Sequence, residues 1–589
     1  MSLILFLLTF AFYLCGLSGT IPSYRDSGDL IASIHTLGIA HPPGYALYVL
    51  VGKLFVTLMP FGNVAYRVNV MSAFFAAATA TLLFRFLSSP RRKSGPSQTE
   101  FWVPACAGMT STACAGVTTI LFATSPAVIA LARVAEMYTL AAFLAAAILL
   151  CLQRNSARAF CGAALLLGLG LSVHPTLIFL LPLFLCSSVR PFPRVSLLYF
   201  VLGLTVFLYL PIRASEHPLV NWGDPSTWRN FWRVVTRADY GGLKLHPEQS
   251  SFSWSAGDVL AQLTYFISAM KNEWGWGALG FGGMGIVAGL RPLKSRRWFS
   301  GLLLAWVLSG PAFFLLSNLP LREPTTPAIL QPYLVLAGVL WVPFVVMGVV
   351  VIPRTMRWGL PLAALLMLCS RSWIWSSERN DFYAYDYARN LLRSLPQNAV
   401  LYEPDDPTRF SIQVLQIVEH RREDVILLNF FRTRWGYEYI KRRWPDLLPP
   451  VPIESGQELE RLLWTYSARQ HPFYAELPQK LTPVPYRAQG LVYAAQTESS
   501  PMSRARAEAL LELDVQRGDY VTSHHADFFT RHLVSYYAAA QNNLGIEYTN
   551  AGEWPRAIAH YQAALQMEPD QSAATQNLAA ALQKMPKHL

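Results

Sequence analysis

The chain has 589 residues, 53% of them hydrophobic and only 14% charged, which is too long for one soluble core and is the composition of a membrane protein. Its formal charge of +12 sits largely in short loops between apolar stretches: Arg91-Arg92-Lys93, Arg154 with Arg158, Arg190 with Arg194, Arg291 to Arg297, and Arg354 with Arg357. That placement is the positive-inside signature, so the charge sets topology and does not point to nucleic acid.

Residues 1–375 carry repeated apolar stretches near the roughly 20 residues that cross a bilayer. About eleven spans are expected, centred near residues 10, 76, 123, 146, 166, 182, 204, 280, 308, 342 and 366. The stretch Met1 to Gly16 has no basic n-region and no small-residue cleavage site, so it is expected to be retained as a span. With the basic loops inside, the odd count leaves the amino end inside and the carboxyl tail outside.

Directly after the first apolar stretch comes Tyr24-Arg25-Asp26-Ser27-Gly28-Asp29, then His41-Pro42-Pro43-Gly44-Tyr45. Two carboxylates at a membrane surface are costly to desolvate and mark a functional site. Asp26 can alternatively cap a helix starting near Gly28. The same topology brings Arg133 to Tyr138, His174-Pro175 and the loop from Pro211 to about Asp258 to the outer face. Within that loop, Trp228, Phe231, Trp232 and Val235 recur near helical period, and Arg229, Arg233 and Arg237 recur every fourth residue. This spacing predicts an interfacial amphipathic helix with a basic face, suited to anionic headgroups. The segment Pro90 to Thr119 reads as an insert in a cytoplasmic loop. All seven cysteines lie before residue 376, and Cys106 and Cys114 lack partners at metal spacing, so no metal site is expected.

Past residue 375 the composition is that of a globular domain. A helix is expected from Tyr385 to Leu395. Ala399 to Tyr402 and Asp424 to Leu428 read as strands around a helical Thr408 to His420, hence an α/β domain over 376–500. Asp405 and Asp406 follow the first strand, where such sheets bind ligands, or cap the next helix. In 501–589, Asn543-Leu544-Gly545, Tyr548, Ala557, Tyr561, Ala564 and Pro569 fit the tetratricopeptide (TPR) pattern, and Asn577-Leu578 restarts it 34 residues after Asn543-Leu544. Such a unit needs neighbouring helices or a partner to bury its face.

The run Asp26-Ser27-Gly28-Asp29, Thr36-Leu37-Gly38, His41-Pro42-Pro43-Gly44-Tyr45, Gly62-Asn63, Tyr66-Arg67 and Asn69 resembles a widespread membrane family long labelled as a domain of unknown function. Ala135 to Leu140, Leu210-Pro211-Ile212-Arg213, Asn221-Trp222-Gly223-Asp224-Pro225 and Asp386 to Asn390 fit it as well. Asp29 stands where the family more often has glutamate. That family looks like a branch of the GT-C glycosyltransferase superfamily, and its eukaryotic members are similar to protein O-mannosyltransferases acting on receptor ectodomains.

The resemblance implies a GT-C-like membrane domain over 1–375 and inverting transfer of a mannose-like hexose from a polyprenyl-phosphate donor to a hydroxyl, on protein or glycan, at the outer face of the inner (plasma) membrane. The tail domains would be periplasmic. No cofactor is implied, and metal dependence stays open. Asp26, Asp29 and Glu136 are the candidate catalytic carboxylates, with Asp26 as base and Glu136 in reserve. His41, Tyr45, Arg213, Trp222, Asp224 and Arg237 are the candidate donor-binding residues. Expected partners are the lipid-linked sugar, the acceptor, membrane lipids and a protein docked on the repeat. The competing reading is a transporter, or a TPR scaffold for envelope assembly.

Overall fold

The computed structural model describes residues 1–88, 109–187, 189, 192–242, 254–290, 296–353, 377–481, 484–495, 504–525 and 527–585. Most of the expected insert, and the expected span near residue 366, lie outside them. The chain divides into two compact units. One takes Met1–Ser18 and Ser33–Arg379; the other takes Gly19–Ala32 and Asn380–Leu589.

The first unit is built of apolar helices. Val64–Ser88 packs against Ser2–Cys15 and Tyr138–Gln153, and Ala157–Leu171 packs against Tyr138–Gln153 and Val195–Leu204. Glycines set the closest crossings. A Cβ on Gly168 would stand 2.3 Å from the Phe200 carbonyl oxygen, and one on Gly285 would stand 1.9 Å from that of Phe344. Only a residue without a side chain lets the backbones meet there, which is how helices associate where burial from water gives no drive.

Four of the described helices are long and apolar enough to cross a membrane: Val64–Ser88, Val195–Ser215, Arg297–Ser317 and Thr325–Val351. Counting the bent pair Thr112–Ala123 and Pro126–Ala132 makes five, against the eleven or so expected. Hydropathy measures apolar length, whereas a span also needs an unbroken hydrogen-bond ladder. Pro126, which has no N–H to donate, starts a new helix bent by 64° from the one before. Pro175 and Pro182 split another apolar run into a 3₁₀ turn, Pro175–Leu180, and a helix, Leu181–Leu185. In Ala256–Leu290 the break falls at Gly275, whose φ of 72° suits a residue without a Cβ.

The second unit is α/β with a helical end. Its sheet has the order β2-β1-β3-β5-β4, where β1 is Val400–Tyr402, β2 Ile426–Leu428, β3 Phe473–Ala475, β4 Tyr486–Gln489 and β5 Val492–Ala495. β1 runs parallel to both β2 and β3, with Val400 opposite Ile426 and Phe473; β5 and β4 are antiparallel. The strand-helix-strand unit read from the sequence is present, its helix being Asp406–Ile417. Tyr402, Phe431, Trp464 and Phe473 form an aromatic core under one face, with centroids 5.0 to 5.5 Å apart for Tyr402–Trp464, Trp464–Phe473 and Tyr402–Phe431. Burying each such ring contributes about 1.5–3 kcal/mol.

The helix Tyr383–Ser394 carries the Asp386 to Asn390 motif inward. Arg517 donates from Nε and Nη2 to the buried Asp386 carboxylate, at 3.1 and 2.5 Å to Oδ1. Asn390 accepts from Val515 N–H and donates to the Tyr537 hydroxyl. That motif therefore ties the domain together. The end of the unit is three consecutive helices, Phe528–Asn550, Trp554–Met567 and Ser572–Lys584, cored by Leu544, Tyr548, Ala557, Tyr561 and Ala581.

Candidate active site

The first two candidate acids belong to the second unit. Residues 19–32 are held there by three contacts with distant parts of the chain. Ser23 donates its N–H to Asp381 Oδ2 at 2.9 Å and its hydroxyl to Oδ1 at 2.6 Å. The Tyr24 ring lies 5.3 Å from that of Phe529. Gly28 presses on the helix Asp406–Ile417, where a Cβ would meet the Phe410 carbonyl at 2.7 Å. Burial, aided by Asp527 and opposed by the Ser23 bonds, pushes the Asp381 carboxyl up to about 6.

Between these anchors, Asp26 precedes the helix Ser27–Thr36. Its carbonyl accepts the Leu30 N–H at 3.1 Å, and its carboxylate is 20% exposed, 3.6 Å from Arg25 Nε. Asp29, in the first turn, is fully buried, a position the helix dipole favours for a negative charge. The two acids stand three residues apart with very different access. Nearby, the buried Arg409 pairs with Asp406 at 2.9 Å and lies over the rings of Phe410 and Phe430, 4.5 and 4.6 Å from their centroids.

The remaining candidates lie in the first unit. A one-residue parallel bridge ties the His41-Pro42-Pro43-Gly44 loop to the Asn221-Trp222-Gly223-Asp224 loop: Ile39 N–H donates to Val220 O at 2.8 Å and Trp222 N–H to Ile39 O at 3.2 Å. That register puts the His41 ring 5.0 Å from Tyr45 and 6.2 Å from Trp222, edge to face, with all three buried. Asp224 accepts from Asn221 Nδ2 at 3.1 Å and its carbonyl accepts from Asn230, so it shapes its own loop. Arg213 donates Nε to Leu37 O at 2.9 Å and Nη2 to Thr36 O at 3.3 Å, while Tyr209 donates to Gly38 O at 2.8 Å. The Thr36 carbonyl is one that every helix leaves open at its carboxyl end, and those of Leu37 and Gly38 follow directly after it. Arg213 thus caps the end of the Ser27–Thr36 helix, a role the sequence does not display.

Glu136 is 1% exposed, in the turn before Tyr138–Gln153. Its N–H donates to Ser72 Oγ at 3.3 Å, and its carboxylate lies near enough to Tyr48 for the charges to interact. One residue beyond Met137, Tyr138 joins a ring cluster with His174 and Tyr333, 5.0 and 5.8 Å away. His174 is buried and bonds Thr176 Oγ1 at 2.7 Å. Burial, with Arg237 and His41 adding positive charge, drives its imidazole down to about 3, so it is neutral at any ordinary pH. The same interactions place His41 and Arg237 each within electrostatic reach of His174. Arg237 itself adopts a φ of 55° and lies 5.6 Å above the Tyr240 ring. The expected amphipathic helix forms over Trp228–Val235. Phe231 and Val234 turn inward, Trp228 and Trp232 are 72% and 46% exposed, and Arg233 pairs with Asp239 at 2.7 Å.

Sequence reasoning missed Glu273. It is buried in the long Ala256–Leu290 helix, and its carboxylate accepts the Ala127 N–H at 3.1 and 3.3 Å, at the start of Pro126–Ala132. The polar run Lys271-Asn272-Glu273 inside an apolar stretch was the available signal. Asp381, His174 and Tyr333 were also outside the predicted set. In all, the first unit holds buried rings, the His41 and His174 imidazoles, a guanidinium and a carboxylate, and the second holds the acidic pair. The rings and cations of the first unit suit a sugar and a phosphate, and a carboxylate of either unit suits a hydroxyl to be deprotonated.

The chain matches the family described as "Protein O-mannosyl-transferase TMEM260 N-terminal domain" over residues 26–190. It is similar to "Protein O-mannosyl-transferase TMEM260" of Mus musculus, 27% identical over 463 residues, covering 72% of this chain and 62% of the relative. It is also similar to "Protein O-mannosyl-transferase tmem260" of Dictyostelium discoideum, 20% identical over 471 residues, covering 70% of this chain and 55% of that one. The chain thus spans between half and two thirds of the curated relatives it matches.

Proposed function

We propose that the chain is a membrane protein O-mannosyltransferase of GT-C type, moving a mannose-like hexose from a polyprenyl-phosphate donor to a hydroxyl of a protein acceptor. The observation that carries this reading is the family match over residues 26–190, because that stretch contains Asp26, Asp29, His41, Tyr45 and Glu136 together. The names of both relatives agree with it. The long apolar helices support a membrane location, proposed here as the inner membrane, with the acidic motif and the α/β domain on the extracytoplasmic side.

In the proposed reaction the acceptor oxygen attacks the anomeric carbon from the face opposite the phosphate. The new C–O bond forms as the bond to the phosphate oxygen breaks, polyprenyl phosphate leaves with the electron pair, and the configuration inverts. Asp26, the more accessible acid of the pair, takes the acceptor proton; Glu136 is the alternative. A base so positioned contributes about 10²–10⁴-fold to rate. Arg237 and His41 would meet the phosphate, and Tyr45 and Trp222 would line the sugar. The three terminal helices, as a TPR-like scaffold, would dock a protein.

A transporter reading would draw on Glu273, an acid within apolar helices. Its carboxylate already accepts the Ala127 N–H, which accounts for it as a helix cap. The test is transfer of label from polyprenyl-phosphate [¹⁴C]mannose to a protein acceptor by the purified chain in lipid. Label in the acceptor is the expected result. A folded preparation that leaves donor and acceptor unchanged would remove the transferase reading.

A further inference from the structure

The acidic motif is held by distant parts of the chain as well as by its neighbours in sequence. Ser23 reaches Asp381, 358 positions away, through two hydrogen bonds, one from its N–H and one from its hydroxyl. Tyr24 meets Phe529, and Gly28 meets the Phe410 backbone. The three anchors come from the segment before Tyr383–Ser394, from Phe528–Asn550 and from Asp406–Ile417. Asp26 lies between the second and third. A short loop pinned at both sides of one residue has little freedom left to that residue.

We infer that Asp381 is a positioning residue: through Ser23 it fixes the loop that carries Asp26 and Asp29, so the α/β domain is part of the apparatus that sets the acidic motif. Asp381 suits the task because a carboxylate presents two acceptors to two donors of one residue. Charge-assisted bonds of this kind are about twice as strong as neutral ones. Both Ser23 and Asp381 are buried, so water does not compete for the clamp. Removing it lets the loop drift, and a misplacement of about 1 Å can cost on the order of 10²-fold in rate.

The kinetic part of this inference rests on the proposed transferase reading; the structural part does not. The experiment therefore has two arms, both on the full chain in lipid. In the first, hydrogen–deuterium exchange is followed in wild type, Asp381→Ala, Asp381→Asn and Ser23→Ala. Asp381→Ala is expected to speed exchange across residues 19–32 while leaving the helices and strands of 380–585 as in wild type. Asp381→Asn restores protection, because an amide can accept from Ser23 N–H and donate to Ser23 Oγ. In the second arm, with polyprenyl-phosphate mannose, Asp381→Ala lowers kcat with little change in the acceptor KM, Asp381→Asn recovers most of it, and Ser23→Ala combined with Asp381→Ala is no slower than Asp381→Ala alone. Unchanged exchange over 19–32 in Asp381→Ala overturns the clamp. Faster exchange with wild-type kcat overturns the positioning role. If wild type transfers nothing, the transferase reading fails and the exchange arm still decides the clamp.

Discussion

Arg213 donates its Nε–H to the Leu37 carbonyl at 2.9 Å and its Nη2 to that of Thr36 at 3.3 Å, closing the end of the helix that begins beside Asp26. The planar fork suits two adjacent carbonyls, and a lysine ammonium cannot reproduce its geometry. Arg213→Lys should therefore lower stability by about 1 kcal/mol, seen as a lower thermal midpoint in detergent, and reduce turnover while donor affinity changes little. A large loss of donor affinity at unchanged stability would return Arg213 to the phosphate-binding role expected from its sequence context.

Glu273 makes the second prediction. Glu273→Ala leaves the Ala127 N–H without its buried acceptor at the start of a helix, a cost of about 1–3 kcal/mol. Glu273→Gln keeps an acceptor oxygen and should lose less. Thermal unfolding of both variants checks the order; equal loss would mean that the charge, not the hydrogen bond, is what matters.

The third concerns pH. Burial, aided by the charge of Asp405, pushes the Glu476 carboxyl up to about 7, although Thr408, Tyr387 and the Asp405 N–H all donate to it. Burial likewise raises Asp381, to about 6. Below these values the folded protein holds protons that the unfolded chain has released, so folding is favoured. As pH rises through the window from about 4 to 7, that advantage is lost. Burial would raise Asp405 too, but hydrogen bonds from Lys480 and Tyr536 outweigh it and hold it low, so its contribution falls below this window. The α/β domain should be more stable at pH 5 than at pH 8, by roughly 2 kcal/mol from Glu476 alone. Denaturant unfolding of the full chain, followed through the core Trp464, tests this. Glu476→Gln should flatten the slope; a wild-type slope of opposite sign would contradict it.

Gly28 gives the fourth. A methyl group there would stand 2.7 Å from the Phe410 carbonyl, a backbone group that cannot swing aside. Gly28→Ala should shift the acidic loop and cost about 1–3 kcal/mol, with turnover falling further than stability. Wild-type turnover in Gly28→Ala would show that the loop tolerates displacement.

The sequence displays what depends on local pattern and hides what depends on distance. The strand-helix-strand unit around Asp406–Ile417, the helix at Tyr383–Ser394 and the amphipathic Trp228–Val235 follow from periodicity, and all are present. The breaks at Pro126 and Gly275 are local in cause but invisible to a hydropathy count, which is why fewer of the described helices qualify as spans than that count expects. The grouping of residues 19–32 with the α/β domain depends on Ser23 and Asp381, separated by 358 positions, and no spacing rule reaches that far. The pairing of His41 with Trp222 is hidden for the same reason, although each loop stood out by its composition. Glu273 was legible as a polar interruption; its partner, a backbone N–H, was not.

The central claim is that a carboxylate of the acidic motif takes the acceptor's proton during mannosyl transfer, and turnover of Asp26→Asn tests it most directly. The amide keeps the size and most of the capping ability of Asp26 but has no basicity. Single-turnover transfer from polyprenyl-phosphate mannose should fall by roughly 10²–10⁴-fold with donor binding and thermal midpoint retained. Near-normal turnover in a folded Asp26→Asn protein would contradict the assignment and pass the base to Glu136.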